Sequence, residues 1–426
     1  MKVFKFGGAS VKDAGAVENV ARIIKQFPGK DLVVVISAMG KTTNALERIL
    51  DHYVKGEPAV WEKFAELQKF HEEIVRDLAV PGEALREKLE LLFDGLKNNL
   101  EREPSDNFDF DYDRIVSYGE LFSTLIISYY LNAAGLENVW ADARRLIRTD
   151  ARYREARVNW TRTEELVGAK WKEIEAAASK GGRSIMITQG FIGHTEERNT
   201  TTLGREGSDF SAAVLAFVLV ARDVTIWKDV PGVLNADPKY FKEAVLLKRI
   251  SYREAIELAY YGASVIHPKT IKPLQNKDIT LYVRSFLKPE EEGTVIERST
   301  FSDSLMPSYI FKVNQALISF TPRDFSFVAE DNLSELFRLF DEHGMKIHLM
   351  QNSAINFSVC TDFVPSKLES LIKRCKTGYE VLYNAPCELV TIRHYDPDTI
   401  SRLLIGKQVL VEQKSRSTAR MVLTEG

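Results

Sequence analysis

Two stretches decide the fold of the N-terminal part: Val3-Phe4-Lys5-Phe6-Gly7-Gly8-Ala9-Ser10, and Leu32-Val33-Val34-Val35-Ile36. Val3, Phe4 and Phe6 make a short apolar strand, and Gly7 to Ser10 a turn. Between the two stretches, Val17, Val20, Ala21, Ile23 and Ile24 recur at helical spacing, with Asp13 placed to cap the helix. The aliphatic run 32–36 fits a strand buried on both faces. Strand, helix and strand in this order form a βαβ unit, for which right-handed, parallel connectivity is expected.

The same alternation returns further on. Arg183 to Thr188, Asp223 to Trp227 and Asp278 to Val283 read as strands, and Ser211 to Leu219 as a buried helix. Glu47 to Leu100 is mainly helical, with breaks at Gly56-Glu57-Pro58 and Pro81-Gly82; it could be an insertion covering a site. Residues 288–308 are polar and turn-rich, which places a domain boundary there. Beyond it, strands are expected at Ala316–Phe320, Ile347–Met350, Ile355–Cys360, Leu389–Arg393, Leu410-Val411 and Met421–Leu423. Helices are expected at Leu333–His343, Leu368–Cys375 and Thr399–Leu404. The order suggests two small α+β sandwiches.

Composition narrows the class. The chain has 426 residues, 57 basic and 60 acidic side chains and a net charge of -3. So even a balance argues against a general nucleic-acid binder, which needs an excess of Lys and Arg. The longest apolar stretch, Ala212 to Ala221, is ten residues, short of the ~20 that cross a bilayer as a helix, so no membrane partner is expected. Residues 1–8 have no long apolar core or small-residue cleavage site, so no secretory signal is expected. The three cysteines, Cys360, Cys375 and Cys387, lack metal-ligand spacing, and reduced thiols in a cytoplasmic protein are the simplest reading.

Four motifs could carry chemistry. Lys5-Phe6-Gly7-Gly8-Ala9-Ser10 places glycines after a buried strand, where backbone N–H groups can approach a phosphate and a preceding lysine can reach it; the alternative is a tight turn. Thr200-Thr201-Thr202-Leu203-Gly204-Arg205-Glu206-Gly207-Ser208-Asp209 gathers hydroxyls, glycines and an acid at a helix start, although Ser208 or Asp209 could simply be the N-cap. Lys228 to Lys239 runs from a strand into a long loop, which suits a ligand site but also an ordinary pair of turns at Pro231-Gly232 and Asp237-Pro238. Ser117-Tyr118-Gly119-Glu120 offers a glutamate at a helix start, which could cap the helix or face solvent.

Together these residues resemble the aspartokinases, of the amino-acid kinase superfamily. The resemblance rests on Lys5 to Ser10, on Ile36-Ser37-Ala38-Met39-Gly40 with Thr43-Asn44, and on Ser117 to Glu120. It continues through Gln189 to Gly193, Thr200 to Asp209, the Val230-Pro231-Gly232 and Ala236-Asp237-Pro238 loop, and Gly262 to Pro268. It implies an α/β fold: an amino-acid kinase domain over 1–296, a three-layer α/β/α sandwich with a mostly parallel sheet. Paired ferredoxin-like ACT regulatory domains would follow over 309–426. It further implies ATP-dependent phosphorylation of the β-carboxylate of L-aspartate to 4-phospho-L-aspartate, towards lysine, methionine and threonine. A monofunctional enzyme is expected, because no G-x-G-x-x-G fingerprint occurs and the chain ends at Gly426.

By the family pattern Lys5 stabilises the γ-phosphoryl charge and Asp209 orients that lysine. Gly7, Gly8 and Ser10 hold phosphate oxygens. Thr43, Glu120, Arg198, Asn199, Thr200, Thr201 and Thr202 form the aspartate pocket, with Glu120 meeting the α-ammonium. Lys228, Asp229, Leu234, Asp237, Lys239 and Ser264 surround the nucleotide. Mg²⁺ accompanies ATP, bound mostly through phosphates and water. Partners are L-aspartate, an amino-acid effector at the ACT domains, and a second copy of the chain through the ACT strands.

The departures are specific. Ala9 replaces a threonine, and Ser264 a lysine expected near the phosphates, whose charge Lys228, Lys239 or Lys269 could supply. Where an arginine often precedes the threonine run, Asn199 stands; either Arg198 or Arg205 takes its role. In the regulatory part, Met350 to Ile355 lacks the acid that would meet an effector's ammonium. Two rival readings remain: a related kinase acting on another acidic amino acid, and a catalytically weak ligand-sensing regulator.

Overall fold

The computed structural model describes the chain apart from residues 30, 179–182, 264–265, 305, 325, 397–399 and 402. By contacts it divides into two compact units. The first holds Met1–Val233, Leu246–Ile256 and Val265–Thr300; the second holds Leu234–Val245, Glu257–Ser264 and Phe301–Gly426. The division is therefore not a single cut, because two interior segments group with the C-terminal strands.

The first unit opens as the sequence indicates. β1 (Lys2–Phe6) leads through a turn to α1 (Ala14–Gln26) and β2 (Asp31–Ile36). Asp13 caps α1, accepting the Ala16 N–H at 2.8 Å. The helical insertion comprises α2 (Thr42–Val54), α3 (Ala59–Asp77) and α4 (Ala84–Leu100), then α5 (Phe108–Val116) and α6 (Tyr118–Ala133). Next come β3 (Val139–Ala141), α7 (Trp160–Ala177) and β4 (Ser184–Gln189), then the hairpin β5 (Ile192–His194) and β6 (Thr200–Thr202). α8 (Gly207–Val218) and β7 (Asp223–Lys228) follow, then β8 (Arg249–Ser251), α9 (Tyr252–Tyr261), which from Glu257 groups with the second unit, α10 (Pro268–Asn276), β9 (Thr280–Ser285) and β10 (Thr294–Glu297).

Eight of these strands form one sheet in the order β3-β4-β2-β1-β7-β9-β10-β8. Pairing is parallel except between β9 and β10. β1 is central, with Lys5 in register between Val35 of β2 and Ile226 of β7. Side chains alternate along a strand. Phe4 and Phe6 thus turn to one face, where Trp227 stacks on Phe6 at 6.0 Å. Lys5 turns to the other, where α8 begins.

The second unit contains β11 (Ser308–Pro322), α11 (Glu330–Glu342), β12 (Ile347–Asn352), β13 (Phe357–Asp362), α12 (Pro365–Cys375), β14 (Tyr379–Arg393), β15 (Lys407–Lys414) and β16 (Thr418–Glu425). The expected helix 399–404 includes residues outside those described. The strands of the two α+β halves join in one antiparallel sheet, β12-β13-β11-β14-β16-β15. The reason is the length of β11 and β14, 15 residues each, which serve both halves. Register shifts between Lys312 and Leu317 interrupt their pairing, and such irregularities bend a ladder. The two halves then share a small core of Leu317, Leu349, Cys360, Cys387, Leu389 and Val422. Helices α11 and α12 cover another core around Phe320, Phe340 and Phe357. All three cysteines are buried and unpaired. Among the described residues no helix is long and apolar enough to cross a membrane.

Candidate active site

The C-terminal ends of β1, β2 and β7 converge on a cleft of about 950 Å³ in the first unit. At the end of a parallel sheet this is the expected place for a ligand. Three local features build it.

The first is the turn after β1. Gly7 extends, and a short 3₁₀ turn runs from Gly8 to Val11. A Cβ on Gly8 would lie 2.8 Å from the Ala38 carbonyl and 3.0 Å from that of Gly40. Only glycine lets this turn sit against the β2–α2 loop, where Gly40 N–H donates to the Gly8 carbonyl at 3.1 Å.

The second is the start of α8. Glu206, not Ser208 or Asp209, occupies the N-cap position, in a left-handed backbone with φ +53°. Its carboxylate accepts the His267 N–H at 3.0 Å. Ser208 and Asp209 therefore lie inside the first turn. Asp209 meets Lys5 there, Oδ1 to Nζ at 2.6 Å, while Lys228 Nζ stands 3.8 Å from Oδ2. Lys5 and Asp209 are both buried, and a buried lysine requires such a partner. The α8 N-terminus adds its positive dipole end to the same place. Gly190 admits the helix, since a Cβ there would come within 2.5 Å of Ser208 Cβ.

The third is α6. Gly119 lets it approach the β2–α2 loop: a Cβ would meet that of Ala38 at 2.9 Å. Glu120, next in sequence, is only 3% exposed. Its Oε1 accepts the Ala38 N–H at 3.2 Å and its Oε2 has no hydrogen-bond partner. Burial pushes its carboxyl up to about 8, partly offset by the Ala38 amide and by the charge of Lys5. An unpartnered, buried carboxylate oxygen facing a cleft is suited to receive a cation.

Of the sequence-predicted residues, Lys5, Gly7, Gly8, Ser10, Thr43, Glu120, Thr202, Asp209, Lys228 and Asp229 line this cleft. Thr201 points away and shares a hydroxyl contact of 2.7 Å with Thr149. Thr200, Asn199 and Arg198 lie at the β5–β6 turn, with Arg198 exposed and left-handed at φ +67°. Arg205, by contrast, is on the cleft wall. Leu234, Asp237 and Lys239 belong to the second unit, and Ser264 lies outside the described residues. Lys269 is engaged elsewhere, donating to the Leu203 carbonyl at 2.9 Å and covering the Phe210 ring at 4.6 Å.

The sequence reading missed a third wall of the cleft. Asp109 and Tyr112 of α5, with Arg152, Tyr153 and Arg154, line it. Arg154 stacks 4.4 Å over Tyr112 and lies 3.3 Å from Asp109. Asp113 accepts three hydrogen bonds behind this wall, and burial nonetheless raises its carboxyl to about 6.

The chain is similar to known proteins over most of its length. Residues 1–285 match the model described as "Amino acid kinase family". The chain is 32% identical over 360 residues to lysine-sensitive aspartokinase 3 of Escherichia coli (strain K12), covering 84% of this chain and 78% of that one. It is 31% identical over 383 residues to aspartokinase 1, chloroplastic, of Arabidopsis thaliana, covering 86% and 64%. It superimposes on E. coli aspartokinase III in complex with lysine and aspartate (T-state) with a TM-score of 0.83 at 27% identity, covering 100% and 96% of the two chains. For the same enzyme in complex with aspartate and ADP (R-state), the TM-score is 0.78 at 27% identity, covering 99% and 96%.

Proposed function

The chain belongs to the aspartokinases of the amino acid kinase family, and from this premise we propose that it transfers the γ-phosphoryl group of ATP to the β-carboxylate of L-aspartate, giving 4-phospho-L-aspartate and ADP. The observation that carries the reading is the pairing of Lys5 with Asp209 at 2.6 Å in one cleft with the unpartnered Oε2 of Glu120.

The reaction asks little covalent chemistry of the protein. A β-carboxylate is already ionised near neutral pH, so no base need activate it. One carboxylate oxygen bonds to the γ-phosphorus as the bond to the β-phosphate oxygen breaks. What is required is alignment and neutralisation of the charge on the transferred group. We assign Lys5 to that charge and Asp209 to orienting Lys5. Lys228 supplies a second cation near the phosphates, and Gly7, Gly8 and Ser10 cradle phosphate oxygens. Glu120 receives the α-ammonium, with Thr43 and Thr202 beside the amino acid. Arg205 suits the α-carboxylate better than Arg198, because it stands on the cleft wall. Leu234, Asp237 and Lys239 are assigned to the nucleotide from the family pattern alone.

Mg²⁺ fits as a companion of ATP. The cleft offers hard oxygen donors in Asp209, Ser10 and Ser208. Among the described residues no group of three ligating side chains forms a dedicated site, so phosphates and water would hold most of the ion.

The second unit is assigned to regulation by an amino acid and to dimerisation. Residues 379–384 of β14 pair with β11, whereas β16 pairs only from Glu388 onward. Leu382 and Tyr383 are 66% and 51% exposed on that stretch, an open edge that a second copy could cover. At β12, Met350 is exposed where an acid would meet an effector's ammonium, so lysine or threonine would bind there differently from the family pattern, or not at all. The free buried cysteines suit a cytoplasmic protein. ATP turnover with aspartate, glutamate and N-acetylglutamate, trapping the acyl phosphate with hydroxylamine, tests the main reading. Aspartyl hydroxamate no higher than in a Lys5→Ala control would refute it.

A further inference from the structure

We infer that Asp113 is a positioning residue for the amino-acid substrate, holding Thr202 and Arg154 in place at the cleft through three hydrogen bonds; the inference rests on the function proposed above. Asp113 is fully buried on α5. Its Oδ2 accepts the amide N–H of Thr202 at 2.7 Å and that of Arg154 at 3.0 Å, and its Oδ1 accepts the Thr202 hydroxyl at 2.6 Å. Among the described residues no cationic side chain forms an ion pair with it. The carboxylate is thus solvated by donors from two separate chain segments, β6 and the loop carrying Arg154.

Both donors belong to cleft residues. Thr202 ends β6, and without Asp113 its amide and hydroxyl would be orphaned in the interior. Arg154 has φ +65°, a backbone region that residues other than glycine avoid, so its amide needs a fixed partner to stay there. Its guanidinium is held by Tyr112 and Asp109 of the same helix. Seven positions after Asp113, Glu120 enters the cleft from α6. One short stretch, 109–120, therefore sets a cation, a hydroxyl and a carboxylate at the amino-acid end. Lys5 and the glycine turn are held by other elements, so the phosphate end should be indifferent to Asp113.

Two substitutions separate positioning from charge. Asp113→Asn can keep all three bonds: its carbonyl accepts the two amides and its NH₂ donates to a rotated Thr202 hydroxyl. Asp113→Ala keeps none. Aspartate and ATP KM are measured by the hydroxamate assay, and hydrogen exchange is followed at the Thr202 and Arg154 amides without ligand. We expect Asp113→Ala to raise aspartate KM roughly 10- to 100-fold, move ATP KM less than about threefold, and speed exchange at both amides. Asp113→Asn should restore KM and protection to near wild type. Unchanged aspartate KM and protection in Asp113→Ala, or an Asp113→Asn as impaired as Asp113→Ala, would overturn the inference. If Asp113→Ala does not fold, Thr202→Val removes only the hydroxyl, and an unchanged aspartate KM there would overturn it too. A wild-type chain that forms no aspartyl hydroxamate refutes the proposed function instead. Exchange then decides alone: protection lost in Asp113→Ala and regained in Asp113→Asn upholds positioning, and unchanged protection overturns it.

Discussion

Replacing Glu120 by glutamine should change aspartate binding and folding stability in opposite senses. Burial raises the Glu120 carboxyl from 4.5 to about 8, with the Ala38 amide and Lys5 offsetting only part of the cost. An ammonium group pairs with the ionised form, so below about pH 8 binding must also expel a proton. The apparent aspartate KM should then exceed its high-pH limit by about 2-fold at pH 8, about 11-fold at pH 7 and about 100-fold at pH 6. Folding feels the same group the other way. A carboxyl raised from 4.5 to about 8 binds its proton more tightly folded than unfolded, so stability falls as pH rises through that window and is level above it. Glu120→Gln should therefore melt at a higher temperature than wild type at pH 8. Its aspartate KM should rise roughly 10- to 100-fold through loss of a charge-assisted contact and lose its pH dependence. The assay is initial-rate ADP release at saturating ATP from pH 6 to 8.5, with melting curves in the same buffers. A wild-type aspartate KM constant over that range, or the same slope in Glu120→Gln, would refute the reasoning.

Lys228→Ala should raise the KM for ATP or lower kcat about tenfold or more, since it removes one of the two cations next to Asp209; Lys269→Ala, whose ammonium serves the Leu203 carbonyl, should leave the ATP KM near wild type. Gly190→Ala should destabilise the fold by about 1–3 kcal/mol in denaturant titration, because its methyl would overlap Ser208 at 2.5–2.7 Å. His71 is fully buried among Phe70, Phe93 and Phe122 with Nε2 unpartnered, and burial lowers its imidazole from 6.5 to about 4. Its neutral form is favoured folded, so stability is full above pH 6.5 and is lost as pH falls towards 4; in His71→Phe, melting temperature should fall less steeply over that range.

The residues of β1, its glycine turn and β2 were legible because a parallel strand buried on both faces leaves an uninterrupted aliphatic run, and glycines mark a close backbone approach. Lys5 was marked by its place just ahead of the glycine turn, whereas the link between Asp209 and Lys5 came from the family resemblance alone. Glu206 was not among the residues considered for the α8 cap, because its left-handed backbone is not announced by residue type. The 15-residue lengths of β11 and β14 were hidden by polar residues such as Lys312, Asn314 and Asn384, which interrupt the apolar pattern near the irregular register. Asp113 sits in Asp109-Phe110-Asp111-Tyr112-Asp113-Arg114, where acids at every second position line no single helix face, so the local pattern marks none of them as buried. Only tertiary contacts reveal that Asp111 and Asp113 are both buried, the first paired with Arg114 at 2.6 Å. Arg198 and Arg205 flank the threonine run, and composition cannot distinguish a hairpin tip from a cleft wall.

The segment Leu234–Val245 gives the second unit a stake in the middle of the sequence. Phe241 stacks on Tyr309 at 4.8 Å, Tyr240 lies 5.8 Å from Phe311, and Ala236 shares a core with Val390 and Ile392. A recombination that exchanged only the C-terminal portion of the gene would bring in strands facing a foreign loop. Inheritance of the tail is therefore tied to a dozen codons far upstream, and the two must drift together.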